Sequence, residues 1–109
     1  MKLVKQIGDL TDADGNVIKQ LSGKLDLELV PAEFNEIIAK VFMFGLSKGY
    51  ERESWKTVPA DKYLGAKLRH GHYMRKGEEF DPESGLPHAY HEACNALMYC
   101  YLKYNQQGE

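Results

Sequence analysis

Residues 81–95 have the sequence DPESGLPHAYHEACN, which joins a predicted turn to the start of a predicted helix. Asp, Pro, Ser and Gly in the first half each favour a bend in the chain. Pro87 is tolerated in a first helical turn, because the amide proton that it lacks would have no partner within the helix. If residues 87–104 are helical, the spacing i, i+3, i+4 and i+7 places four polar side chains on one face: His88, His91, Glu92 and Asn95.

This face differs from an ordinary solvated helix face, which carries mostly lysine and glutamate. Imidazole and carboxylate groups are common metal ligands in proteins. The pattern therefore predicts a metal or phosphate site where the turn meets the helix. A polar face without a ligand is the alternative interpretation.

The composition limits the classes of function. A chain of 109 residues suffices for one domain with one core. Its formal net charge of −2 offers no basic patch for DNA or RNA, and no apolar run is long enough to span a membrane. Residues 1–5 lack the apolar segment of a secretory signal, so a cytoplasmic protein is expected. Cys94 and Cys100 point to different helix faces, which indicates two buried, reduced thiols rather than a disulfide.

The first 30 residues are predicted to form an arm or a hairpin appended to a helical domain over residues 31–109. The dipeptide Asp14-Gly15 lies between two runs that favour strands, 3–7 and 17–21. The segment 25–29, LDLEL, alternates strictly between apolar and acidic residues. It predicts either a short strand or an extended arm.

Apolar residues recur at helical spacing in three segments, each opened near a proline. They predict an all-α core of three helices at about 32–47, 60–76 and 87–104. The third helix is apolar on nearly every side from Ala93 to Leu102, and so short a chain cannot easily bury it completely. We therefore predict a homodimer or higher homo-oligomer that completes the helical bundle, with Leu97 and Tyr101 in the contact surface.

The second and third predicted helices are joined by a short linker, residues 77–86, which makes them antiparallel neighbours. This arrangement brings the middle of the second helix towards the start of the third. The N-terminus of the third helix also favours an anion such as phosphate. The predicted pocket is lined by residues of both helices and the linker: Arg69, His70, Glu78, Asp81, His88, His91 and Asn95.

Trp55 is the only tryptophan of the chain and lies in a polar segment between the first two predicted helices. A tryptophan in such a segment commonly fills the edge of a core and donates a hydrogen bond through its indole nitrogen. Stacking on a nucleotide base is the alternative, and Tyr63 is a second aromatic residue available for it.

Several segments resemble the N-terminal domain of phage dATP/dGTP diphosphohydrolases. The most specific is residues 81–97, with the pattern D-P-E-S-G-L-P-H-x-x-H-x-x-C-N-A-L. Further matches lie upstream, at Arg69-His70 and Gly77-Glu78, and the resemblance covers about residues 24–102. In the loop before the tryptophan, this sequence has Lys48-Gly49-Tyr50 where the phage domain usually has K-Y-G. The phage enzymes are similar in role to the MazG-like all-α pyrophosphohydrolases, although the acidic motifs of MazG are absent here.

The resemblance implies a metal-dependent phage enzyme of the host cytoplasm that converts purine deoxynucleoside triphosphates to the monophosphate and pyrophosphate. Mg²⁺ or Mn²⁺ is the expected cofactor, with Zn²⁺ or Fe left open because imidazole pairs suit those metals better. The predicted metal ligands are Asp81, His88, His91 and Asn95. The predicted catalytic residues are His70, Glu78 and Glu92. The predicted substrate-binding residues are Arg69, Trp55 and Tyr63.

Two other hypotheses fit the same residues. One is a non-catalytic phage protein that binds a nucleotide or metal, or has a regulatory role, on the same fold. The other is a structural hydrogen-bond network that fixes the turn to two helices. Neither interpretation involves a nucleic acid or a membrane as partner.

Overall fold

A computed structural model describes residues 9–11, 17–20 and 25–105 of the chain. Contacts between Cα atoms divide the chain into two compact units, Met1–Pro31 and Ala32–Glu109. Each unit has its own secondary structure, and the predicted site residues all belong to the second.

The first unit contains an antiparallel hairpin of strands β1 (Asp9–Thr11) and β2 (Val17–Gln20), with an irregular register after Leu10. Strand β2 lies within a predicted run, whereas β1 follows the run 3–7. That run and the Asp14-Gly15 turn lie outside the described residues.

The strand considered for residues 25–29 is wrong, because Leu27–Leu29 form a 3₁₀ helix. The side chain of Asp26 accepts a hydrogen bond from the Glu28 amide at 3.2 Å. The Val30 amide donates to the Leu27 carbonyl at 3.1 Å. These local bonds close a tight turn in place of an extended ladder.

The second unit confirms the predicted core of three helices, α1 (Glu33–Ser47), α2 (Ala60–Arg75) and α3 (His88–Cys100). Helix α3 continues as a π-helix, Tyr101–Asn105, where an α-helix was predicted. Pro59 and Pro87 are the N-cap residues of α2 and α3.

Helices α2 and α3 make most of the contacts between helices, and α1 contacts α3 over fewer residues. The pairing is antiparallel: Tyr73 stacks on His88, whereas Lys67, almost two turns earlier, lies beside Glu92. Gly71 leaves room for the Glu92 side chain, because a Cβ atom there would lie 2.8 Å from a Glu92 carboxylate oxygen. The short linker thus makes α2 and α3 antiparallel neighbours, as predicted.

The buried apolar side chains among residues 25–105 are Cys94, Met98 and Leu102, one stripe along α3 and its extension. Trp55 closes the edge of this core from a 3₁₀ helix, Ser54–Thr57. Its ring lies edge-on to that of Tyr101, with centroids 5.2 Å apart.

The two cysteines of α3 differ in burial. Cys94 is a buried free thiol, but Cys100 is an exposed one, so the prediction of two buried thiols is wrong for Cys100. Leu97 is 55% exposed within a single chain, which agrees with the expectation that one chain cannot bury the third helix completely. Within the described part of the protein, no helix has the length and apolar character needed to cross a membrane.

Candidate metal and phosphate site

The turn between α2 and α3 fixes the Asp81 carboxylate by hydrogen bonds within the turn. The Asp81 amide donates to the Leu86 carbonyl at 2.8 Å, and the Gly85 amide donates to the Asp81 carbonyl at 2.7 Å. The Ser84 amide donates to Asp81 Oδ2 at 2.9 Å. Gly85 has a φ of 77°, a left-handed conformation that glycine adopts without a steric penalty. The predicted turn chemistry therefore orients an acidic side chain.

The same turn determines where α3 begins. Phe80 and Pro87 form an isolated antiparallel bridge. The His88 amide donates to the Glu79 carbonyl at 2.8 Å. These contacts bring the first residue of α3 beside the linker that follows α2. His88 points into the protein there and is only 1% exposed.

Three side chains form a hydrogen-bonded chain through His88. Its Nε2 lies 2.8 Å from Glu78 Oε1, and its Nδ1 lies 2.9 Å from His70 Nδ1. An ionised carboxylate can only accept, so we assign the His88 proton to Nε2. His88 Nδ1 then accepts a hydrogen bond from His70 Nδ1–H. Glu78 thereby selects the tautomer of both rings.

His70, Asp81 and His88 together offer three ligand atoms within 4.8 Å of one another. The Glu78–His88 contact is the arrangement that commonly orients a metal-binding histidine. A cation bound by both Nδ1 atoms would replace the proton that they share. Metal–nitrogen bonds of roughly 2.0–2.1 Å place two such nitrogens about 3.3 Å apart, so the rings would separate slightly. Two imidazoles and a carboxylate suit Zn²⁺, Mn²⁺ or Fe better than Mg²⁺.

His91 lies beside this trio. Its ring stacks on that of His70, with centroids 4.5 Å apart and an interplanar angle of 10°. Its Nε2 is 2.7 Å from Ser84 Oγ and 3.8 Å from Asp81 Oδ2. The serine and the aspartate both approach the same nitrogen. The group is therefore not a Ser-His-Asp triad, in which they contact opposite nitrogens of the ring.

Asn95, the fourth predicted metal ligand, is buried one turn further along α3. Its side-chain amide donates to the His91 carbonyl at 2.7 Å. This bond holds Asn95 against the backbone of its own helix. Asn95 lies in the wall of the same cavity as His91 and outside the trio of potential ligands.

The protein environment changes the protonation of these groups. Burial lowers the pKa of His70, and the nearby charge of His91 lowers it further. Burial also lowers the pKa of His91, and the charge of Asp81 partly opposes this. For Asp81, burial alone would raise the pKa, but hydrogen bonds from Ser84 and the charges of the histidines lower it overall. At neutral pH, both imidazoles are therefore neutral and the carboxylate is ionised.

We expect the metal-free protein to lose thermal stability as the pH falls below about 6.5. Because the folded pKa values of His70 and His91 lie below their ordinary value of 6.5, the unfolded chain binds more protons in this range. The stability is fully present above 6.5 and decreases as the pH falls through the folded pKa values. Melting temperatures measured in a chelator from about pH 8 to about pH 5 test this sign. A His70→Gln/His91→Gln variant should respond less to pH, and an equal response would contradict the assignment.

The trio borders a cavity of about 1040 Å³ between α1, α2, α3 and the segment that contains Trp55. His70 and Asp81 lie in its wall. Cationic residues of the wall are Lys48, Arg52 and Arg69. Aromatic residues of the wall are Phe42, Phe44, Tyr50, Trp55 and Tyr63. The Tyr63 hydroxyl donates to the Trp55 backbone carbonyl at 3.0 Å, which holds the Tyr63 ring against the segment that contains Trp55.

The cavity brings together most of the predicted site residues. Arg69, Trp55 and Tyr63 share its wall with His70, Asp81, His91 and Asn95. Glu78 and His88 stand outside that wall, behind His70. Glu92, predicted to be catalytic, is not among the lining residues, and its carboxylate lies 3.6 Å from Lys67 Nζ.

Two residues of the site were not among the predicted ones. Ser84 contacts both Asp81 and His91. Its position three residues after an aspartate is a turn signal that could have revealed the first contact. Lys48 forms an ion pair with Glu83 at 2.9 Å, a contact between distant parts of the chain that no local pattern indicates.

Comparison with known proteins identifies the family. The sequence pattern of a family described as "dATP/dGTP diphosphohydrolase, N-terminal" matches residues 15–109. The chain belongs to this family. The match confirms the resemblance seen at residues 24–102 and extends it on both sides.

A relative from Salmonella phage PMBT28, named dATP/dGTP diphosphohydrolase, is 34% identical over 90 residues. The alignment covers 83% of this chain and 30% of the relative, so the chain spans less than a third of that protein's length. No solved structure matches the chain. The family is thus shown by sequence, and the site has to be interpreted from its own geometry.

Proposed function

We propose that this protein is a metal-dependent hydrolase of purine deoxynucleoside triphosphates, which releases the monophosphate and pyrophosphate in the host cytoplasm. The observation that carries the proposal is a metal-capable trio, His70, Asp81 and His88, of which His70 and Asp81 lie in the wall of a cavity lined by cationic and aromatic side chains. A relative that bears the name dATP/dGTP diphosphohydrolase supports the same chemistry.

The cavity has the size and the kinds of side chain that a nucleotide requires. Its volume of about 1040 Å³ is at the upper end of typical ligand pockets. Arg69 supplies a planar guanidinium that can bind two phosphate oxygens at once. Phe42 and Trp55, whose ring centroids are 5.8 Å apart, offer ring surfaces against which a purine can pack. The proposal therefore places the triphosphate at Arg69 and the trio, and the base against these two rings.

The residues of the trio and their hydrogen-bonded neighbours have separate roles in this proposal. His70, Asp81 and His88 would hold the divalent cation, which supplies neutralisation of phosphoryl charge. Glu78 orients His88 through Nε2. His91 is neutral at pH 7 and contacts the Ser84 hydroxyl, so the pair can accept a proton from an attacking water. Glu92 has no part, because it pairs with Lys67 away from the cavity.

The test is to incubate the purified protein with each of the four deoxynucleoside triphosphates and Mn²⁺, Zn²⁺ or Mg²⁺, or a chelator. We expect the purine nucleotides to give monophosphate and pyrophosphate in equal amounts, and the chelator to stop the reaction. Release of diphosphate and inorganic phosphate would contradict the proposed bond cleavage. Metal and nucleotide binding without turnover, measured by calorimetry, would instead support a non-catalytic binding protein on this fold.

A further inference from the structure

The ion pair between Lys48 and Glu83 lies beside the proposed phosphate site. Lys48 is the C-cap residue of α1, and Glu83 belongs to the turn between α2 and α3. The Lys48 ammonium is 2.9 Å from Glu83 Oε2. Both residues line the large cavity, together with Asp81 and Arg69. A polyphosphate chain bound in this cavity can therefore lie near this ion pair.

The Lys48 ammonium has contacts besides the one with Glu83. It lies 5.3 Å from the centroid of the Phe44 ring and 5.6 Å from that of Tyr50. Both rings belong to the cavity wall, and aromatic faces attract a cation at such distances. If the Glu83 carboxylate turns away, these rings can keep the Lys48 ammonium at the cavity.

The ion pair is also easy to break. The side chains of Lys48 and Glu83 are 36% and 62% exposed, and exposed ion pairs contribute little net stability because water solvates both charges well. A phosphate group carries more negative charge than a carboxylate and accepts short, charge-assisted hydrogen bonds. A polyphosphate can therefore compete with Glu83 for the ammonium.

We propose that Lys48 binds the polyphosphate chain and that the Glu83 carboxylate occupies the phosphate position at Lys48 in the free protein. The inference rests on the proposed function, because it assumes that the cavity takes a phosphorylated ligand. In the free protein, Lys48 is paired with Glu83. On binding, a phosphoryl oxygen replaces Oε2, and Glu83 turns to solvent. Lys48 acts on binding and positioning, with no covalent step.

The two partners should respond to substitution in opposite directions. Lys48→Met removes the cation and should weaken the binding of inorganic tripolyphosphate about tenfold, the loss expected for one hydrogen bond to a charged group. Glu83→Gln removes the competing negative charge and should tighten binding by up to about fivefold, the range that corresponds to an exposed ion pair.

Lys56 provides a matched control. Its ammonium is 3.4 Å from Glu53 Oε1, its side chain is 34% exposed, and it lies over the rings of Trp55 and Tyr101. Unlike Lys48, it does not line the large cavity. Lys56→Met should leave tripolyphosphate affinity within about twofold of wild type, since only screened long-range charge is lost.

The experiment is calorimetric titration of the full chain with inorganic tripolyphosphate at low ionic strength in a chelator, with a melting curve for each variant. Weaker binding for Lys48→Met and tighter binding for Glu83→Gln support the proposal. Weaker binding for both variants, an unchanged Glu83→Gln, or no binding by the wild type would overturn it. If the effects appear but no triphosphate is hydrolysed, the hydrolase proposal alone fails. If triphosphate is hydrolysed but the two variants behave alike, the exchange at Lys48 alone fails.

Discussion

Replacing His88 by alanine is expected to weaken the binding of Mn²⁺ or Zn²⁺ by more than roughly 100-fold, since loss of a mere supporting partner of a ligand already costs 10–100-fold. In the proposed site, His88 would supply a ligand nitrogen, and it also contacts His70 through the 2.9 Å distance between the two Nδ1 atoms. Calorimetric titration of the metal into metal-free protein measures the effect. Triphosphate hydrolysis should decrease in parallel if the proposed function is correct.

Two further variants separate a metal ligand from a structural residue. Glu78→Gln keeps a hydrogen-bond acceptor beside His88 but removes the negative charge, so metal affinity should fall by the smaller factor of about 10–100. His72→Ala removes an exposed histidine of α2 that is not part of the trio and should leave metal affinity unchanged.

Folding has to be followed as well, because His88 is only 1% exposed and its removal leaves a cavity. A His88→Gln variant retains more of the side-chain volume, and circular dichroism with a melting curve shows whether each variant folds. A folded His88 variant that binds metal as tightly as the wild type would eliminate the trio as the metal site. If the wild type binds no metal and His88→Gln lowers only the melting temperature, the cluster is a structural hydrogen-bond network.

The parts of the fold that depend on residues close together in the sequence were predictable. Pro59 and Pro87 marked the starts of α2 and α3 within about one residue, since proline cannot donate inside a helix and restricts the backbone before it. The linker after Gly77 was short enough to require antiparallel helices. That requirement placed His70 opposite His88, and the structure brings their rings to a centroid distance of 5.1 Å.

Periodicity predicted which residues share a face of α3, but it did not predict which partners their side chains contact. His88 and Glu92 share a stripe at i and i+4, but α3 is rotated so that Glu92 faces Lys67 and Gly71 on the neighbouring helix. That rotation depends on how the two helices pack against each other, which periodicity does not encode. Asn95 likewise lies on the expected face, yet it bonds to the backbone carbonyl of His91, a competing partner available to any short polar side chain in a helix.

Leu97→Glu is expected to convert a homodimer, or a larger homo-oligomer, into monomers, raising the dissociation constant at least roughly 30-fold, as for a central interface residue. The side chain of Leu97 is 55% exposed in one chain and borders an apolar groove of about 190 Å³ between α1 and α3. Within residues 25–105, α1 has no fully buried side chain. Its apolar residues Phe34 and Met43 are 55% and 65% exposed. A second copy of α3 packed in this region would cover apolar surface that one chain leaves in water.

Sedimentation of wild type and variants over a range of concentrations measures the change. Because Leu97 is largely exposed, the glutamate should alter the stability of an isolated chain by only about 0.5 kcal/mol or less. Leu68→Glu is the matched control, since Leu68 is a 61% exposed leucine of α2 and lies outside the proposed contact surface. Tyr101→Glu is less informative, because Tyr101 packs against Trp55 and its loss disturbs the fold. A wild type that sediments as a monomer at high micromolar concentration, or an equal effect of the two leucine variants, would exclude association through α3.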